Sequence, residues 1–214
     1  MASSDSLYGA KQLLKPSIDR KDFRVFVFGP ALNPAEKVSQ PTSKANNHEA
    51  VGEYGKYLRY STKKRLERLG FSVDYGETSA VLEFWQKFFL SPNAAATEIT
   101  HASKICGAVI IFPATFGSMA ELALFTLKES IAEKTLAIVH QDYETSESFF
   151  RRGVLELFDT YNGAVRYLNY ARSKECVEYA KRYVERKYWK VCQDVDSVQD
   201  IKSRHRGKVF EHAF

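Results

Sequence analysis

Cysteine is scarce in this sequence, with three residues among 214. Cys106, Cys176 and Cys192 do not have the spacing of a metal-binding set, and an odd number cannot all pair in disulfides. We therefore expect free thiols in a reduced, cytoplasmic protein, with no bound metal.

Long apolar runs are also absent. No stretch approaches the roughly 20 apolar residues of a membrane-spanning helix, and the first residues lack the apolar region of a signal peptide. The hydrophobic share of 44% is enough for one well-filled core. The sequence predicts one domain over residues 1–192 and a basic tail over 193–214, without membrane contact.

Positive charge is concentrated near the C-terminus. From Ala171 to Phe214 there are 11 Lys/Arg and 7 Asp/Glu, so +4 of the net +5 lies there. Such an excess is usual on a solvated helix face, although charge clustered on one face would bind nucleic acid or an acidic protein partner. The aromatic segment Val81–Leu90 has helical spacing, which favours the core or a subunit interface. We expect a homo-oligomer.

Five short segments rich in β-branched and aromatic residues are predicted strands. They are Phe23–Phe28, Phe71–Tyr75, Gly107–Phe112, Thr135–His140 and Ala164–Leu168. Helical patterns fill the gaps, including Phe149–Phe158 and Ala171–Val191. This alternation predicts a doubly wound α/β fold, Rossmann-like or flavodoxin-like, with about five parallel strands and helices on both faces. Such folds bind ligands outside the carboxyl ends of the strands.

The candidate site residues follow the predicted strands along the chain. The third strand is followed by a turn and by a helix with a carboxylate near its start. The full set consists of Gly29 and Pro30 after the first strand, Asp74 and Glu77 at the second, Pro113, Gly117, Ser118 and Glu121 after the third, and Asp142 after the fourth.

The glutamate after the third strand has two interpretations. Residues 118–121, Ser-Met-Ala-Glu, match a capping box, in which Ser118 caps the helix and Glu121 bonds back to the Ser118 N–H. Alternatively, Gly117 allows a ligand to approach the backbone at an anion-binding helix start. Glu121 would then be an ionised nucleophile or a ribose-hydroxyl acceptor.

The segment "GAVIIFPATFGSMAEL" resembles the strand, turn and helix that carry the catalytic glutamate of nucleoside 2-deoxyribosyltransferase-like proteins. The likeness extends to "VFVFGP", "VDYGE" and "VHQDYETSESFFRRG", and covers roughly Phe23 to Tyr170. It is closest to the variant found as toxic effectors of bacterial retron anti-phage systems. The chain departs from the deoxyribosyltransferases at Thr115 and Cys106, where those enzymes have aspartates.

The resemblance implies that the chain cleaves the N-glycosidic bond of a nucleotide, with NAD as the favoured substrate and without a cofactor. Glu121 would be the catalytic glutamate, and Glu77 or Asp74 the second acid. The nucleotide would contact Gly29, Pro30, Pro113, Gly117, Ser118 and Asp142. A retron effector would act in the cytoplasm as an antiviral toxin.

Two further hypotheses remain open on the sequence. A nucleotide sensor on the same fold would use Glu121 only to cap a helix or to hold a ribose. An interaction subunit would use the basic tail to hold a nucleic acid or a protein of a defence complex. Turnover of a nucleotide would separate the glycosidase hypothesis from the sensor and the interaction subunit.

Overall fold

A computed structural model describes residues 16–33, 38–42, 47–76 and 94–211, with side chains up to residue 197. These residues contain a five-stranded sheet in which every pairing is parallel. The strand order is β2-β1-β3-β4-β5. The predicted α/β doubly wound fold is confirmed, and the order is that of flavodoxin-like sheets.

All five predicted strands are present, and their ends differ from prediction by at most one residue. Central strand β4 is buried along its whole length, as expected for a strand covered on both faces. The strands are β1 (Arg24–Phe28), β2 (Ser72–Asp74), β3 (Ala108–Ile111), β4 (Thr135–His140) and β5 (Ala164–Leu168).

The helices connect successive strands and cover both faces of the sheet. Short 3₁₀ turns lie at Arg20–Asp22 and Gln141–Tyr143. The predicted Phe149–Phe158 helix corresponds to a π-helical segment, Phe150–Leu155, that leads directly into α5. The helices are α1 (His48–Glu67), α2 (Ala94–Lys104), α3 (Phe116–Thr126), α4 (Glu129–Ala132), α5 (Glu156–Thr160) and α6 (Ser173–Glu211).

Alternate side chains of each central strand enter two separate cores. Val25 and Val27 of β1 pack with apolar residues of α1 and α6, whereas Phe26 and Phe28 pack with residues of α2, α3 and α4. Because side chains alternate along a strand, two apolar faces require a nearly continuous apolar strand. This requirement explains the unalternated runs in the sequence.

Helix α6 is longer than the predicted Ala171–Val191 helix. It begins at Ser173 and continues to Glu211, through the segment predicted to be a basic tail. Its first half packs on the sheet through a buried stripe that includes Ala180, Val184 and Tyr188. The predicted domain boundary at residue 192 therefore falls within a helix.

Among the described residues, no helix is both long enough and apolar enough to cross a membrane. The three cysteines are free and buried.

Candidate active site

The chain reverses its direction of winding between β1 and β3. The connection from β1 leads to one edge of the sheet and the connections from β3 lead to the other, so a crevice opens outside the carboxyl ends of these two strands. Gly29 follows β1 and has a φ of 153°, and a Cβ there would lie 3.2 Å from the Phe112 carbonyl oxygen. The predicted glycine is thus required where β1 and β3 end side by side.

Arg59 of α1 fixes the backbone on one side of this crevice. The buried guanidinium donates hydrogen bonds to the carbonyl oxygens of Val27 (3.0 Å), Gly29 (3.3 Å) and Pro30 (3.0 Å), and it lies over the Tyr75 ring. Arg59 therefore holds Pro30, a predicted substrate-contacting residue, from inside the protein. No motif in the sequence separates this arginine from the exposed basic residues of α1.

The predicted capping box over residues 118–121 is wrong. Helix α3 begins three residues earlier than Ser118 suggests, because Thr115 is the N-cap and Ser118 is its partner. The Ser118 hydroxyl accepts hydrogen bonds from the N–H groups of Ala114 and Thr115, each at 3.0 Å. Ser118 is buried within this turn, and Glu121 lies in the second turn of the helix instead of the first.

Glu121 shares a face of α3 with Phe125, which packs against the last residue of β1. Phe125, four residues later, packs edge-to-face on Phe28 with ring centroids 4.6 Å apart. Residues four apart share a helix face, and α3 runs back from the carboxyl ends of the strands, so Glu121 lies about 6 Å nearer to those ends than Phe125. The residue is half-buried and its Oε2 atom is buried.

The other predicted residues of this segment differ in exposure. Gly117 is exposed, and a Cβ there would meet nothing within 4 Å, so the helix start is open. Pro113 is buried, as is Ser118. Of the four residues predicted in this segment, Gly117 is therefore the exposed one and Glu121 the half-buried one.

Asp74 is the last residue of β2, and its side chain is held in a network of charges. Its carboxylate accepts hydrogen bonds from Arg24 Nη1 at 3.0 Å and lies 3.0 Å from His101 Nε2. Burial alone would raise the pKa of Asp74, but hydrogen bonds from His101 and Arg24 outweigh it and lower the pKa. Asp74 pairs with Phe26, three residues before Gly29. The hydrogen bonds of its carboxylate with Arg24 and His101 favour a structural role for Asp74.

The second predicted acid, Glu77, lies outside the described residues. A carboxylate that the sequence did not single out occurs nearby, because a Cβ on Gly76 would collide with the side chain of Glu98. Glu98 belongs to α2 and is half-buried at the end of β2. Its position suits a second acid, and nothing in the spacing of the sequence distinguishes it from other surface glutamates.

One cluster of possible metal ligands occurs in the described ranges. Ligand atoms of Asp74, His101 and Cys106 lie within 4.8 Å of one another. Burial raises the pKa of Cys106 to about 12, so the thiol is protonated at neutral pH. Arg24 already neutralises Asp74, which opposes a cation at this position.

A pocket of about 280 Å³ opens between the start of α1 and the end of β4. His140 is buried, and its Nδ1 atom lies 3.3 Å from Asp142 Oδ2. Burial lowers the pKa of His140, and the charge of Asp142 opposes this shift only in part. The imidazole is therefore neutral at neutral pH. The polar lining residues are Asn47, His48, His140, Asp142, Tyr143 and Ser146.

This pocket adjoins the start of α3. Gly52 of α1 lies against Thr115, since a Cβ on Gly52 would be 3.6 Å from Thr115 Cγ2. The Tyr143 hydroxyl is 4.0 Å from Met119 Sδ, which links the other wall to α3. The starts of α1 and α3 and the end of β4 thus lie beside one another at the carboxyl rim of the sheet. Of the predicted residues there, Asp142 lines the pocket and is exposed.

The model of the STM3845 retron effector protein family matches residues 80–212, which is more than half of the 214-residue chain. The matched range includes Glu121 and Asp142 and begins after β2, so Gly29, Pro30, Asp74 and Glu77 lie outside it. A search of curated proteins gives no match.

Proposed function

The chain belongs to the family of STM3845 retron effector proteins, and from this premise we propose that it is an anti-phage effector that cleaves the N-glycosidic bond of a nucleotide. NAD is the favoured substrate. The observation that supports the proposal is the setting of Glu121, a half-buried carboxylate in the second turn of the helix that follows β3.

Glu121 suits the charge that develops during this reaction. As the bond between C1′ and the base nitrogen breaks, its electron pair leaves with the base and positive charge forms on the sugar. A carboxylate held at the water-poor end of a sheet stabilises that charge strongly. Water then bonds to C1′ and releases a proton. Nicotinamide in NAD leaves without being protonated, so this substrate makes the smallest demand on a second acid.

The hydrogen bonds of Asp74 make this residue a poor candidate for the second acid. Because Asp74 is held by Arg24 and His101, its carboxylate would have to break two hydrogen bonds before it exchanged a proton with a substrate. Glu98 beside Gly76, or the neighbouring Glu77, is the better candidate for protonating a base that leaves as an anion.

The direct test is release of a base. The purified protein is incubated with NAD and with a panel of ribonucleotides and deoxynucleotides, and the products are separated by chromatography. We expect nicotinamide and ADP-ribose from NAD in equal amounts. An intact panel after prolonged incubation would contradict the proposal.

A further inference from the structure

Large apolar side chains are exposed mainly on one part of the surface. Of the seven that are exposed among the described residues, two lie on separate elements, Ile105 just after α2 and Trp189 on α6. The other five lie on or directly beside α3 and the π-helical segment with α5, which packs against α3. We call this surface the α3 face, and its exposed apolar residues are Phe116, Leu124, Leu127, Phe149 and Leu157.

The exposed positions of α3 carry no charge. Residues 116, 120, 124 and 127 are Phe, Ala, Leu and Leu, and all four are exposed at the three- and four-residue spacing of one helix stripe. Glu121, the charged residue of α3, is half-buried beside this stripe. The outer face of a surface helix ordinarily carries polar and charged residues, so an apolar stripe in this position indicates an interaction surface.

The exposed area is what one partner of a stable interface needs. Phe116 is 90% exposed, Phe149 83%, Leu127 70% and Leu124 41%. A fully exposed aromatic side chain presents roughly 150–250 Å² and a leucine about 100 Å², so together these four expose about 400 Å². A standard interface buries about 800 Å² on each partner, and somewhat more than half of that area is apolar. The α3 face therefore supplies most of the apolar area required.

The charges near Phe149 are paired within the chain. Arg151 lies 2.7 Å from Glu156, and Arg152 lies 2.6 Å from Glu147. The positive excess of the chain is on α6, which packs on the opposite face of the sheet from α3. Two copies that meet at the α3 face therefore bring apolar residues and paired charges together, and their basic helices stay apart.

We propose that the α3 face is the contact between two copies of this chain, related by a two-fold axis. An apolar face is best covered by another apolar face, and the described surface of a second copy has no other cluster of exposed apolar residues of this size. The same face on each copy therefore meets its equivalent, and such a contact closes at the dimer.

The mass of the full chain in solution tests this contact. Sedimentation velocity is measured from about 1 to about 100 μM protein, and we expect the mass to reach that of two chains at the upper end, because standard-size interfaces have a Kd of micromolar or tighter. The mass should rise no further, since a two-fold contact is closed. Species that grow beyond a dimer would overturn the two-fold arrangement. A monomer at about 100 μM would overturn the inference and leave the α3 face to a different partner.

Leu124→Glu and Ile105→Glu are a matched pair of variants. The two residues are 41% and 46% exposed, so both variants should fold, which urea denaturation checks. Leu124→Glu places a charge on the α3 face of both copies and should raise the Kd of the dimer at least about a hundredfold, whereas Ile105→Glu should leave it unchanged.

Leu127→Ser is a second variant of the same face that introduces no charge. It should raise the Kd of the dimer at least about tenfold, because it removes apolar area from both copies at once. A dimer that is as tight in Leu124→Glu and Leu127→Ser as in the wild type would contradict the inference. Equal loss of the dimer in Ile105→Glu and Leu124→Glu would contradict it as well.

This experiment does not depend on cleavage, so it separates the inference from the proposed function. A protein that forms the dimer through the α3 face but releases no base would retain the interface and lose the enzymatic proposal. A monomer that releases base would retain the enzyme and lose the interface.

Discussion

The neighbours of the Asp74 carboxylate keep it ionised in the folded protein. Its pKa is lowered, so the unfolded chain takes up the proton first as the pH falls below about 4. Stability from the contacts with Arg24 and His101 is therefore complete above that pH and is lost as the pH falls through the folded-state pKa. His140 acts in a separate window: its lowered pKa removes stability as the pH falls below about 6.5.

Asp74→Asn tests the lower window. The variant should lose about 1–3 kcal/mol of unfolding free energy at pH 7, because Arg24 and His101 lose an ionised partner. Below pH 4 its stability should fall less steeply than that of the wild type, while the decline near pH 6 remains. The measurement is urea denaturation across pH 2–8. Parallel curves for the two proteins would show that Asp74 contributes no such linkage.

The sequence predicts candidate site residues at turns, but it does not predict contacts that arise from packing. Gly29 and Gly117 follow strand ends, and such positions can be predicted from the order of elements. Arg59 and Glu98 take their roles from contacts between separate helices and strand ends. No spacing within one segment records such a contact, so the spacing of Arg59 fits a phosphate-binding position and an ordinary helix face equally well, and Glu98 resembles other surface glutamates.

Helix α1 approaches the strand ends closely at Gly55, which has no side chain. A Cβ on Gly55 would lie 2.6 Å from Ala114 Cβ and 2.9 Å from Pro30 Cγ, whereas one on Gly52 would meet Thr115 at an ordinary 3.6 Å. Gly55→Ala should therefore destabilise the protein by about 1–3 kcal/mol, despite the better helix propensity of alanine.

Gly52→Ala is the matched control for this prediction. It has the same change of propensity in the same helix and space for the methyl group, so it should be neutral or stabilise by up to about 1 kcal/mol. Thermal and urea unfolding of both variants give the comparison. Equal effects of the two substitutions would mean that close packing of α1 on Pro30 and Ala114 is not what requires Gly55.

The start of α3 shows why a local motif is a weak guide to a helix boundary. Ser-Met-Ala-Glu and Thr-Phe-Gly-Ser both place a hydroxyl residue three positions before a polar partner, and the sequence alone favoured the former. The hydrogen bonds choose Thr115 and Ser118. The strands were easier to predict, because burial on both faces requires apolar runs that cannot be read as amphipathic helices.

The order of elements was enough to predict the sheet and the rim that carries the candidate site. It was not enough to decide which acids meet there, because the direction of a side chain such as Asp74, which turns toward Arg24, depends on contacts between strands. The predicted homo-oligomer stays a prediction. Phe116 and Leu124 of α3 and Leu127 just after it are exposed and apolar, which is compatible with an interface between copies.

A further test asks whether the basic part of α6 binds a partner. If it binds nucleic acid, affinity should fall steeply between about 50 and 200 mM salt, because each neutralised phosphate releases counterions. The double variant Arg204→Ala and Arg206→Ala should then reduce the salt slope by up to about 2. Fluorescence anisotropy with a labelled oligonucleotide gives both values. For the isolated protein we expect little binding even at low salt, as for a solvated helix face.

The central claim is that Glu121 stabilises charge on a sugar, and the measurement that tests it most directly is the rate of base release by wild type and Glu121→Gln. The substitution is nearly isosteric, and Glu121 is outside the capping box, so folding should be retained in urea denaturation. Glu129→Gln, at an exposed position at the start of α4, is the control for loss of a carboxylate. We predict that cleavage falls about a hundredfold or more in Glu121→Gln and is unchanged in Glu129→Gln. A Glu121→Gln variant that releases base at the wild-type rate would contradict the claim, and a wild type that binds nucleotide without releasing base would favour a sensor.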